Sequence, residues 1–367
     1  MSGSTFGNLF KVTTWGESHG AALGVVIDGC PAGLPLSPTQ IQKDLDRRRP
    51  GMSALATPRA EADAVQILSG VFEGKTTGTP VSLVIYNENQ RSGDYDTLKD
   101  VYRPGHADYG YEVKYAHRDW RGGGRSSGRE TAARVAAGAV AKLVLAQAGI
   151  DFTTYLCSLG SVTVTRKDFD PAQASRNPFV LPGWQAAKDA EIFLRMSKIS
   201  GDSVGGTAEC IISGVPPGIG EPVFDKLDAA IAQAVFSIGG VKGVEFGAGF
   251  AAAGLKGSVN NDGFYFDNGI KKRTNNSGGV LGGLSDGGDI VFRAAMKPTP
   301  SIKQSQKTVN KAGDNIDITI DGRHDFAFAP RAVIVVECMA ALALLDLMMQ
   351  NMTCRIDYFK NFYTDSD

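Results

Sequence analysis

The sequence is poor in the residues that build metal and disulfide sites. It has four histidines (His19, His106, His117, His324) and five cysteines (Cys30, Cys157, Cys210, Cys338, Cys354), scattered without paired spacing. That pattern argues against a zinc centre or a disulfide framework, and the cysteines read as reduced, mostly buried thiols. The chain also lacks an excess of either charge. Its 38 Lys+Arg against 39 Asp+Glu leave a net −1, which argues against a generic nucleic-acid binder. The first residues show no basic-then-apolar leader, so a cytoplasmic location is expected. The apolar stretch from Ala332 to Met349 is broken by Glu337 and Asp346, so no membrane span is expected. No Pro/Gly/Ser linker or internal repeat divides the 367 residues. A single catalytic domain over residues 1–350, followed by a tail over 351–367, is therefore expected.

What the chain has in abundance is glycine. Its 45 glycines amount to roughly 12% against a usual level of about 7%, with no Gly-X-Y period that would mean collagen. Helices are predicted from Ser37-Pro38-Thr39-Gln40 through Leu45, from Ser127-Gly128-Arg129-Glu130 to Gly149, from Pro222 to Ile238, and from Pro330 onward. Strands are predicted at Leu23–Ile27, Val81–Tyr86, Ser161–Thr165, Gly206–Ser213 and Asp289–Ala294. Helices and strands do not alternate strictly, which favours an α+β fold over a doubly wound sheet.

Four segments can carry chemistry. Gly16-Glu17-Ser18-His19-Gly20 presents a histidine on a loop, suited to proton transfer near neutral pH, although alone it reads equally as a solvated turn. Arg103-Pro104-Gly105-His106-Ala107-Asp108-Tyr109 fixes a second histidine behind a Pro-Gly turn. The stretch Arg103–Arg134 holds seven Lys/Arg and four Asp/Glu, so it is locally cationic inside a near-neutral chain. Within it, Gly122-Gly123-Gly124-Arg125-Ser126-Ser127 exposes backbone N–H groups beside an arginine, two hydroxyls and a helix start, a pattern that suits a phosphate or carboxylate. Lys297-Pro298-Thr299-Pro300-Ser301, preceded by Gly278-Gly279 and Gly282-Gly283, is a further candidate anion cradle. Gly322-Arg323-His324-Asp325 places cation, imidazole and carboxylate side by side. Two segments resemble nucleotide motifs without matching them. Gly70–Thr76 has three residues between the glycines of a P-loop where four are needed. Gly247–Ala252 lacks the βαβ context of a dinucleotide site.

Together these segments resemble the chorismate synthase family. The His19, His106 and Arg125–Thr131 segments are similar to its three signatures, and Asp44–Gly51, Val241–Glu245, the Lys297 turn and Arg323-His324-Asp325 follow in order, covering about residues 5–350. The resemblance implies a single-domain α/β sandwich built around antiparallel β-sheets with flanking helices, assembled as a homotetramer. It implies a carbon–oxygen lyase that uses reduced FMN to eliminate phosphate from 5-enolpyruvylshikimate 3-phosphate, with no net redox change. An external flavin reductant is implied, NADPH entering only indirectly, and neither nucleic acid nor membrane is a partner. By resemblance, His19 is the acid beside the leaving phosphate, His106 serves the reduced flavin near its nitrogen 1, and Asp325 works in removing the carbon 6 proton. Arg48, Arg129 and Ser18 hold substrate. Arg125, Ser126, Ser127, Gly239, Gly240, Gly282, Lys297, Pro298, Thr299, Pro300, Ser301 and Arg323 hold the flavin. His117 and His324 are secondary. The chain departs from the pattern at Ala54, where many members have an arginine that Arg59 would replace. It departs also at Gly239-Gly240, in place of Asn-Ala, and at Phe326-Ala327, in place of Pro-Cys. A flavin- or NADPH-dependent oxidoreductase and a non-catalytic anion-binding module are the competing readings.

Overall fold

A computed structural model describes residues 3–49, 61–88, 98–320 and 325–364. Two five-stranded antiparallel sheets bracket a helical interior. The first has the order Thr5–Phe6, Lys11–Gly16, Ala22–Asp28, Val81–Tyr86, Val65–Ser69, and the second the order Val241–Phe246, Ile290–Met296, Gly206–Ser213, Asp151–Leu159, Val162–Thr163. The α+β expectation holds. The helices are α1 (Pro38–Arg48), α2 (Asp108–Tyr115), α3 (Thr131–Ala146), α4 (Trp184–Ser200), α5 (Leu227–Phe236), α6 (Gly257–Asn260), α7 (Ala329–Asn351) and α8 (Ile356–Thr364). α3 packs on the first sheet and on α7, while α7 and α5 pack on the second sheet. The principal helices thus lie between the sheets rather than outside them.

This arrangement follows from the sequence pattern. In the strand Gly206–Ser213, Ala208, Cys210 and Ile212 point inward at alternate positions, as a sheet with one buried face requires. α7 is apolar around its whole circumference, because it meets protein on every side. Its length and composition would let it cross a membrane, but it is buried inside the fold. Its two acidic residues are neutralised where they sit. Asp346 accepts the backbone N–H groups of Asn8, Leu9 and Phe10 at 2.7–3.0 Å, and Glu337 is paired with Arg47 of α1 and Lys142 of α3. Burial alone would raise the Glu337 carboxyl, but hydrogen bonds and charge from Arg47 and Lys142 hold it below the ordinary value.

α1 begins at the expected capping box, with Ser37 N–H donating to Gln40 Oε1 at 2.9 Å. α3 is preceded by one 3-10 turn, Gly128–Glu130, in which the Ser127 hydroxyl accepts the Arg129 N–H. α5 starts later than predicted, at Leu227. Glu221 N–H bonds Asp225 C=O at 2.9 Å across a tight bridge, which leaves Val223 and Phe224 exposed instead of helical. Elements beyond the sequence expectations include α2, α4, α8 and the strands Lys11–Gly16, Val65–Ser69, Asp151–Leu159 and Val241–Phe246. Of the two nucleotide-like segments, Gly70–Thr76 is a hairpin turn, and Gly247–Ala252 runs into a 3-10 helix.

Candidate active site

The loop between α2 and α3 is the floor of the site. Gly122 and Gly123 both have positive φ, and each is pressed against a different histidine. A Cβ on Gly122 would lie 2.2 Å from His19 Cε1, and one on Gly123 would lie 3.0 Å from His106 Cε1. Only glycine allows both the backbone conformation and the approach. Two histidines from distant parts of the chain therefore rest on consecutive residues.

His19 is buried, with Nδ1 3.0 Å from Ser18 Oγ. Its turn is held by Asn87, whose side-chain amide donates to the carbonyls of Glu17 and Gly20, both at 2.9 Å. Arg125 straps the preceding strand to the loop, donating to Gly16 C=O at 3.1 Å and to Thr14 Oγ1 at 2.7 Å. Ser126 Oγ donates to Gly123 C=O at 2.7 Å and closes the turn.

His106 lies beside the Lys297 turn. Lys297 Nζ donates to Gly105 C=O, and Pro300 sits 3.2 Å from where a Gly105 Cβ would be. Burial lowers the Lys297 ammonium from its ordinary value, and the like charge of Lys242 lowers it further. Thr299 Oγ1 is buried and has no hydrogen-bond partner among the described residues. The Thr299 carbonyl accepts from Ser203 Oγ at 2.6 Å, and Ser301 is buried. Gly240, after the end of α5, accepts the Lys297 N–H at 2.9 Å. The ring of Phe328 comes within 2.5 Å of where a Gly240 Cβ would be, so this position needs glycine. Asp325 is buried and paired with Arg331 in the first turn of α7. The next residue, Phe326, accepts the Val204 N–H at 2.8 Å.

Arg48 and Arg129 form a separate cluster. They share Asp63, whose two oxygens each take one guanidinium, at 2.6 Å for Arg48. Arg48 also donates to Thr131 Oγ1 at 3.0 Å and Gly128 C=O at 3.2 Å. Arg129 reaches Glu61 at 2.8 Å and Asn87 Oδ1 at 2.9 Å. Burial pushes the Arg48 guanidinium down to about 10; Asp63 opposes this, while Arg331 and Arg129 add to it. Expected substrate arginines are thus already matched by carboxylates of the protein itself.

Other predicted residues are placed differently. Gly282 is exposed in the turn between Val280–Leu281 and Leu284–Ser285, with no hydrogen bond to the histidines among the described residues. Gly239 is exposed beside Gly240, and His117 is exposed just past α2. Arg323, His324, Ala54 and Arg59 lie outside the described residues. Residues missed from sequence are Glu61, Asp63, Asn87, Arg331 and the pairing of Arg103 with Asp108. Of these, only Arg103 and Asp108 stand inside a motif.

The chain is similar to known proteins over nearly its whole length. The chorismate synthase family model matches residues 10–349. The chain is 57% identical to the chorismate synthase of Lachnospira eligens, covering 99% of this chain and 100% of that protein. It is 54% identical to that of Methanococcoides burtonii, covering 96% and 97%. A crystal structure of a chorismate synthase superposes with a TM-score of 0.77 at 31% identity, covering 98% of both chains. The chain belongs to the chorismate synthase family, the reduced-FMN-dependent lyases that form chorismate from 5-enolpyruvylshikimate 3-phosphate.

Proposed function

We propose that the elimination takes place over the Gly122–Gly123 floor, with His19, His106 and Asp325 as its proton-handling groups. In the reaction, the bond from carbon 3 to the phosphate oxygen breaks, phosphate leaves with the electron pair, and carbon 6 loses a proton. The observation that carries the reading is the seating of His19 and His106 on adjacent glycines, which puts two groups able to move protons near neutral pH on one surface. His19, backed by Ser18, protonates the departing phosphate. His106 serves the cofactor edge. Asp325, oriented by Arg331, receives the carbon 6 proton.

The residues present suit an anionic flavin nucleotide. Lys297 and Lys242 bring adjacent positive charge, and the unpartnered Thr299 hydroxyl awaits an acceptor or donor. Ser126, Ser127, Gly240, the Lys297–Ser301 turn, Arg125 and Arg323 are the proposed holders, with Gly239 and Gly282 contributing backbone. When bound there, reduced FMN would supply electron density that assists loss of phosphate, with no net change in its oxidation state. Arg48, Arg129 and Ser18 are proposed to face the substrate anions. A homotetramer is part of the proposal, supported by the exposed Phe250, Phe266 and Ile270, which an isolated surface seldom shows together. So are a cytoplasmic location, an external reductant, and the lack of nucleic-acid or membrane partners.

The test is an anaerobic assay with the enolpyruvyl substrate and chemically reduced FMN, following chorismate absorbance and phosphate release. Catalytic product with unchanged flavin is expected. No product, or product in step with flavin oxidation, would sink the lyase assignment. Sedimentation at any mass other than four chains would remove the tetramer.

A further inference from the structure

The ring of His106 meets the protein at both ends, and only one end is accounted for by the site. Its Cε1–Nε2 edge lies over Gly123, facing the proposed floor of the site. Its Nδ1 points the other way, 2.9 Å from Asp108 Oδ1 and 3.0 Å from Arg103 Nη2. A guanidinium can only donate, and an ionised carboxylate can only accept. Nδ1 therefore faces one fixed donor and one fixed acceptor. Without a proton it accepts from Arg103, and with a proton it donates to Asp108.

That pair is itself rigid. Asp108, the first residue of α2, is 1% exposed. Oδ2 takes Arg103 Nε at 2.6 Å, and Oδ1 takes Arg103 Nη2 at 2.8 Å with Arg118 Nη1 at 2.9 Å. Arg118 is anchored in turn by Glu112 at 3.1 Å and by Lys99 C=O at 2.9 Å. Burial would raise the Asp108 carboxyl, but hydrogen bonds from Arg103 and His106, with their charges, hold it far below the usual carboxylate range. The charged groups around His106 are Arg103, Arg118, Asp108 and Lys297, three cations against one anion. This surrounding keeps the ring aimed in either protonation state.

We propose that Asp108 and Arg103 are positioning residues for His106, gripping Nδ1 in turn as acceptor and donor so that Nε2 stays directed at the cofactor side. The inference rests on the role given to His106 above.

The test uses the full chain labelled with 15N-histidine, in which only four histidines contribute and His106 is assigned by its loss in His106→Gln. In the wild-type protein the neutral His106 ring is expected to hold one dominant tautomer, the Nε2–H form, unlike exposed His117. Asp108→Asn and Arg103→Met should each change the tautomer balance or its titration. Each should lower kcat by about 10- to 100-fold, the scale for losing an outer partner of a working imidazole, with KM for the substrate within about threefold. An inactive His106→Gln beside an Asp108→Asn of wild-type kcat would overturn this inference alone. A fully active His106→Gln would instead remove the role on which it rests. If the Asp108 variant does not fold, the wild-type spectrum decides, because a tautomer mixture matching His117 would refute the grip.

Discussion

Two charged clusters flank the residue 121–130 loop, and they are built on opposite principles. At the triglycine end, His19 and His106 are held from behind, by Ser18, Arg103 and Asp108, and in front they rest on bare glycine backbone. At the Arg129 end, the guanidinium groups are filled from within, by Asp63, Glu61 and backbone carbonyls. The front of the first cluster stores shape, and the second cluster stores charge. Shape held by bare glycine costs less to break than charge, about 1–2 kcal/mol for an L side chain in a left-handed conformation. A buried cation matched by a buried anion cannot be unmatched without destabilising the fold. Asn87 joins the two, with its amide N–H groups on the His19 turn and its oxygen on Arg129.

The contrast is open to a direct break. His106→Ala and Asp325→Ala should each reduce turnover by at least about 100-fold, the scale for removing an acid–base group, with urea unfolding of the His106 variant close to wild type. Rates near wild type would end the assignment of the first cluster. Gly122→Ala isolates shape from chemistry, since it removes no functional group. The added methyl at 2.2 Å must displace His19, and a shift of about 1 Å at a reacting group costs on the order of 100-fold. Circular dichroism should be unchanged. An active Gly122→Ala would show that the seating of His19 is incidental.

The second cluster should respond the other way. Asp63→Ala leaves Arg48 buried and short of a counter-charge, and breaking such a pair typically costs about 3–5 kcal/mol. Urea denaturation should show that loss, while Gly122→Ala shows only the smaller cost of an alanine in a left-handed conformation, about 1–2 kcal/mol. A stable Asp63→Ala would mean that Glu61 and the surrounding carbonyls suffice, and the distinction between the clusters would collapse.

How much of this was legible in the sequence follows the same division. His19, His106 and Lys297 stood in local motifs whose turn residues signalled a function, and α1 and α7 had a capping box and a long apolar run to mark them. Asp63 and Glu61 carried no such signal. Their partners are Arg48 and Arg129, and no spacing rule joins residues brought together by tertiary packing. Arg331 stands in no motif, and its pairing with Asp325 is a tertiary contact. α4 was obscured because Ile192, Met196 and Ile199 face outward and blur its amphipathic pattern. The strand Asp151–Leu159 is partly covered on both faces, so its residues do not alternate. Turn chemistry is local and readable; charge compensation is not.

The smallest effect tests whether the first cluster stores any charge of its own. Asp108 is ionised in the folded protein far below the ordinary range, whereas an unfolded aspartate titrates near pH 3.9. A depressed carboxyl contributes its full stabilisation above the unfolded value. That contribution is lost as pH falls through about 4 toward the folded value, because the unfolded chain then binds a proton the folded chain refuses. The slope from one such group is at most about 1.4 kcal/mol per pH unit. Asp108→Asn removes the titration and also the counter-charge of Arg103 and Arg118. The stability gap between wild type and Asp108→Asn should therefore be widest at pH 5 and above, and narrow steadily between pH 4 and pH 3 in urea titrations. A gap that stays constant with pH would mean that Asp108 supports His106 by shape alone. The two clusters would then differ even more sharply than their geometry indicates.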